Sequence, residues 1–94
     1  VAVNPDGTTT IALESPIEHA KKTITEVTVH EPTAGELEVM DESKGQVSST
    51  NRLIAELSGL SLMAVRKLKG RDWGRISDVV NGYVGKSQGT GATS

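Results

Sequence analysis

Few side chains in this sequence could do covalent or acid–base chemistry, and their spacing argues against it. No cysteine is present, which excludes a thiol nucleophile, a thiolate metal site and a disulfide framework. His19 and His30 are the only imidazoles. Neither belongs to a His-Glu-x-x-His helix, and carboxylates alone around them give a catalytic zinc site no support, so both are expected on the surface. There is no Gly-x-Ser-x-Gly elbow, and no spacing among the acidic residues marks an acid–base pair. Gly85-Lys86-Ser87 matches the end of a phosphate-binding loop, but the first glycine of that motif would fall where Val80 stands. The segment also follows a helix instead of leading from a strand into one, so no ring of amides would face a phosphate. The expectation is a non-enzyme with no metal and no cofactor.

Binding chemistry is better represented. Between Asn51 and Lys69 the sequence has the spacing of a helix-turn-helix, with Ala55, Gly59 and Val65 at the small, turn and β-branched positions and Ile54, Leu60 and Leu68 at the packing positions. Arg66, Lys67, Lys69, Arg71 and Arg75 could then meet phosphates. Against this, the first turn of the would-be recognition helix offers Leu62 and Met63, which cannot make the bidentate hydrogen bonds that read base edges. Any tight pair of packed helices tends to the same spacing. Leu62 and Met63 either fill the core or form an adaptable apolar contact surface that Met40 could extend. The surface expected to meet a protein partner is Leu60, Leu62, Met63 and Trp73, with a basic rim of Arg66, Lys67, Lys69 and Arg71.

The elements that must position these residues follow from periodicity. Asn4-Pro5-Asp6-Gly7 favours a turn, so residues 1–7 are expected to be a flexible start. Strands are expected over about 8–14, with Ile11 and Leu13 on one face, and over 23–30, which is rich in β-branched residues. Ile24 is out of phase with Val27 and Val29, which points to a bulge in a hairpin whose loop covers 15–22. Thr33-Ala34-Gly35-Glu36 has capping-box spacing and opens a helix over about 34–44. Further helices are expected over 48–58, ended by Gly59 in the left-handed conformation, over 62–69 after a Ser61 cap, and over 72–84. The last carries Trp73, Ile76, Val79, Val80, Tyr83 and Val84 on one stripe. Residues 85–94, rich in Gly, Ser and Thr, are expected to be a disordered tail. The fold class is therefore α+β, a short N-terminal hairpin followed by three to four short packed helices in a single domain over 8–84.

Composition bounds the rest. A chain of 94 residues with no Phe, one Trp and one Tyr must build a modest core from Ile, Leu, Val and Ala. The net charge of −2 hides an asymmetry: residues 1–42 carry nine acids and two bases, and residues 43–94 carry three acids and eight bases. Halves of −7 and +5 suit either two solvated faces or association, with itself as a homo-oligomer or with a polar partner. No apolar run approaches a membrane span and no export signal opens the sequence, so a soluble protein in a reducing cytoplasm is expected.

The order of Ile11-Ala-Leu-Glu-Ser-Pro-Ile17, Ile24-Thr-Glu-Val-Thr-Val-His-Glu-Pro-Thr-Ala-Gly-Glu-Leu37, Leu53-Ile-Ala-Glu-Leu-Ser-Gly-Leu60 and a closing helix with Asp72 resembles the tail assembly chaperones of Mu-like and related contractile-tailed phages. The likeness covers roughly residues 9–84 and is most telling at Glu31-Pro-Thr-Ala-Gly35; His30 departs from it, standing where the family pattern has an arginine. The resemblance implies a protein in the bacterial host cytoplasm that holds the tape measure protein soluble, helps recruit tail tube subunits, uses no cofactor and leaves before the virion is complete. It further implies a longer form made by ribosomal frameshifting, for which Gly85-Lys86 could be the slippery site. A small helix-turn-helix regulator and a structural tail or head-completion subunit are the alternatives.

Overall fold

Alternating apolar and polar residues with a high share of Thr, Ile and Val favour paired strands in the first third of the chain. In the computed structural model, which describes residues 2–84, they form an antiparallel three-stranded sheet of order β1-β2-β3. Its strands are β1 (Ala2–Val3), β2 (Thr9–His19) and β3 (Lys22–Val29). The expected tail over 85–94, with the Gly85-Lys86 site, lies outside the described residues.

The sheet differs from the expected hairpin in two places. Within the stretch expected as a flexible start, Ala2 and Val3 pair with Thr10 and Thr9 across the Asn4–Gly7 turn and add a third strand. The Asn4 side chain donates to Thr8 and Thr10 Oγ1, both at 2.9 Å, and Tyr83 Oη from the last helix donates to Gly7 O at 3.0 Å. The start of the chain is thus held by a residue at the far end of the fold. Likewise there is no loop over 15–22. β2 runs through to His19, and Ala20 (φ 53°) and Lys21 (φ 66°) make a two-residue turn. Such turns usually carry Asn-Gly, so Ala-Lys gives no turn signal, and the left-handed backbone costs roughly 1 kcal/mol or more per residue.

The bulge accommodates the phase of Ile24. Ala12 pairs with Glu26 and Ile17 with Ile24, so Leu13, Glu14, Ser15 and Pro16 stand opposite Thr25 alone. An odd insertion reverses the alternation: Ile11 pairs with Val27 on one side of the bulge, Ile17 with Ile24 on the other. Ile11, Val27 and Ile17 are buried, and Ile24 packs against the same core cluster.

Helices α1 (Ala34–Leu37), α2 (Gln46–Ser58), α3 (Leu62–Val65) and α4 (Gly70–Tyr83) follow. The capping box is present: the Glu36 amide donates to Thr33 Oγ1 at 3.1 Å and the Thr33 amide donates to Glu36 Oε1 at 3.0 Å. The helix expected over 34–44 is instead one α-turn continued by a 3₁₀ turn, Glu38–Glu42. Glu38, Asp41 and Glu42 put negative charge where the helix dipole is also negative, and the last turn itself carries no base. Gly59 ends α2 at φ 79°. The third helix is also shorter than expected, because the amides of Lys67 and Leu68 bond the carbonyls three residues back and tighten its end. The apolar faces of α2 and α4 (Leu53, Ile54, Leu57; Ile76, Val80) close over Ile11, Val27 and Val29 of the sheet, with Val65 of α3 beside them.

Candidate functional site

Among the described residues no three His, Cys, Asp or Glu side chains come together as metal ligands. The imidazoles have separate local partners. His19 Nε2 lies 3.0 Å from Ser61 Oγ, which also accepts the Ala64 amide and caps α3. His30 Nε2 lies 2.9 Å from Glu36 Oε2, beside the capping box. The Glu36 carboxyl is held below its usual value by the Thr33 amide and then by His30, which stabilises the ionised form that the cap uses.

One surface feature suited to binding is a furrow along the outer face of α2. At one end its walls are Val39, Ala55, Leu60 and Leu62, with Glu42, Arg52 and Glu56 at the rim. Arg52 and Leu62 continue into a polar middle with Asn51 and Arg66. Asn51 and Arg66 in turn border an apolar far end made by Val47, Val65, Leu68 and Trp73. Val47, Asn51 and Ala55 repeat every fourth residue, so they share one face of α2 and span roughly 12 Å of its length. Trp73 is fixed at this end by a 2.6 Å hydrogen bond from its indole Nε1 to Asn51 Oδ1. Met63 stands beside Leu62 with 59% of its surface exposed, and Val47 is equally open.

The residues expected to form one partner surface are therefore divided. Leu60, Leu62, Arg66 and Trp73 line the furrow, whereas Met63 is exposed on α3 and is not part of its lining. The basic rim does not stay together. Lys67 Nζ donates to Glu18 O at 2.7 Å and Arg71 faces Glu14 at 3.9 Å, so both reach toward β2. Lys69 is exposed at the N-terminal boundary of α4. Val39, Val47, Asn51, Arg52 and Ala55 were not assigned to a partner surface from the sequence. The spacing of Val47, Asn51 and Ala55 could have placed them on one face of α2, but which neighbours flank that face is a tertiary fact.

The helix-turn-helix reading loses its geometry. Its recognition helix would be α3, which has four residues and about one turn, with Ala64 and Val65 buried. A helix that short cannot lay several side chains along a major groove. Arg75, the last of its phosphate contacts, is turned inward: its Nη2 donates to Ala12 O and to Asp72 Oδ1, both at 2.6 Å.

That Asp72 is fully buried and accepts the amides of Glu14 and Ser15, each at 3.0 Å, from the β2 bulge. The closing helix is thereby fastened to the strand bulge by a charged clamp. Burial alone would raise the Asp72 pKa, but the Glu14 amide, Arg75 and the Ser15 amide outweigh it and hold the carboxyl below its usual value.

No curated protein and no solved structure matches this chain. Residues 10–85 match the family model described as phage tail assembly chaperone proteins, E, or 41 or 14. That span runs from the start of β2 past the end of α4 and includes the furrow, the bulge and the Asp72 clamp, and with it the chain belongs to the phage tail assembly chaperone family.

Proposed function

We propose that this chain binds the tape measure protein in the host cytoplasm, keeps it soluble, helps bring tail tube subunits to it, and is absent from the finished virion. The observation that supports this reading is the furrow on α2. It has an apolar end at Val47, Val65, Leu68 and Trp73 and runs through a polar middle to a mixed end, where Val39, Ala55, Leu60 and Leu62 stand among Glu42, Arg52 and Glu56. Such a surface suits an amphipathic helix with both apolar and charged positions. A tape measure protein presents long apolar helical stripes before the tube encloses it, and a small reversible cover would prevent those stripes from aggregating. Leu60, Leu62, Met63 and Trp73 supply the apolar contacts and Arg66 a charged border. Lys67, Lys69 and Arg71 form an outer basic rim near β2 that could steer an acidic tail protein.

Co-expression tests this directly. The tape measure protein of the same phage should remain in the soluble fraction with the wild-type chain and go to the pellet when it is expressed alone. Met63→Asp with Arg66→Glu changes two exposed positions, so the variant should stay folded by circular dichroism yet leave the tape measure protein in the pellet. Full retention of solubilising activity by that folded variant would remove the furrow from the reading. Mass spectrometry of purified virions provides the second readout, because finding this chain there would indicate a structural tail or head-completion subunit instead.

A further inference from the structure

The two edges of the sheet are treated differently by the rest of the molecule. On the β2 side, β1 covers Thr9 and Thr10, Pro16 interrupts the strand within the bulge, and helical side chains take main-chain groups: Asp72 holds the Glu14 and Ser15 amides, Arg75 the Ala12 carbonyl and Lys67 the Glu18 carbonyl. These are the devices by which proteins keep an edge from pairing. The outer edge of β3 has none of them over Lys22–Glu26. This stretch has no proline and no inserted residue, and among the described residues no side chain bonds its main chain. Lys22, Thr23, Thr25 and Glu26 are all exposed, on both faces of the strand, so none of the described residues covers this end.

The sequence of that open edge is complementary to itself. In Lys22-Thr23-Ile24-Thr25-Glu26 the two charges are opposite and equidistant from Ile24. Antiparallel pairing of two copies about Ile24 sets Lys22 against Glu26 twice, Thr23 against Thr25 twice, and Ile24 against its own copy. Opposite charges and Thr–Thr pairs directly across from each other stabilise antiparallel strands. Neither Lys22 nor Glu26 has an ion-pair partner among the described residues, so no existing bond must break. A register centred near the turn also sends the two helical layers away from each other along the strand.

We infer that β3 is a self-association edge, on which a second copy of this chain adds its own β3 antiparallel about Ile24 to continue the sheet. Five paired residues a side bury less than a standard stable interface, which places the dimer in the weak, transient class. Lys22 and Glu26 lie outside the furrow, so this pairing is independent of the proposed tape measure binding.

Sedimentation velocity over a concentration series tests the register with charge reversals at the two exposed positions. The wild type should show a mean mass rising toward a dimer. Lys22→Glu and Glu26→Lys each put like charges face to face twice, and each variant alone should dimerise about tenfold or more weakly. An equimolar mixture of the two variants restores opposite charges at every pair, so association should return to the wild-type level. A wild type that stays monomeric throughout, single variants that associate as the wild type does, or a mixture without recovery would each overturn the proposal.

Discussion

At the scale of single residues, Asp72 carries the most consequence for stability. It is the one fully buried charge among the described residues, and its three partners come from the bulge of β2 and from Arg75. Asn in its place keeps the shape but not the charge, and turns an amide donor toward groups that also donate. Removing one partner of a buried charged set typically costs about 3 kcal/mol, a large part of the 5–15 kcal/mol that holds a domain together. Urea unfolding at neutral pH should show that loss for Asp72→Asn. The pH dependence follows from the depressed pKa. The stabilisation from the ionised carboxylate is complete above the ordinary value of 3.8 and is lost as the pH falls through the lower value of the folded state. Between pH 5 and 2 the wild type should therefore lose stability more steeply than Asp72→Asn, while Asp6 and Glu36, also depressed, contribute to both proteins alike.

At the scale of elements, the glycines of the helical layer separate into two kinds. Gly59 holds φ 79° at the end of α2, a backbone that a Cβ disfavours, whereas Gly82 lies inside α4 with nothing within 4 Å of the position a Cβ would take. Gly82→Ala should stabilise by about 1 kcal/mol, a rise in Tm of about 4–8 °C, and Gly59→Ala should destabilise by about as much. Thermal melts of the two variants read both signs. This layer was legible from the sequence where local chemistry decides: the Thr33–Glu36 capping box, the Gly59 exit and the Ser61 cap are all in place. What could not be read depended on distant partners. β1 is two residues long and owes its order partly to Tyr83, 76 residues beyond Gly7. The β2 turn uses Ala20 and Lys21, neither of which favours positive φ. The bulge could be suspected from the phase of Ile24, but its fastening by Asp72 across 58 residues could not.

Over the whole molecule, the charge asymmetry of the sequence is partly answered within the fold. Bases of the second half meet the first at Arg71–Glu14, Arg52–Glu42 and Lys67–Glu18 O, which is why the expected basic rim is split instead of continuous. Of the surface expected from the sequence, Leu60, Leu62, Arg66 and Trp73 border a furrow, while Met63 is exposed outside its lining. Lys67 and Arg71 do not, because long side chains follow whichever carbonyl or carboxylate the tertiary fold brings near. A core with few aromatic residues leaves such a chain with a modest margin, so occupation of the furrow should register as stability. A ligand that binds only the folded state adds about 2.7 kcal/mol at a hundred times its Kd, which in a domain this size is about 10–20 °C in Tm. A peptide from an amphipathic helix of the tape measure protein, titrated to that level, should raise the melting temperature of the wild type by this amount. It should leave that of Met63→Asp with Arg66→Glu nearly unchanged, whereas the Lys22→Glu chain should respond as the wild type does. Equal responses from all three proteins would place the bound helix somewhere other than the furrow.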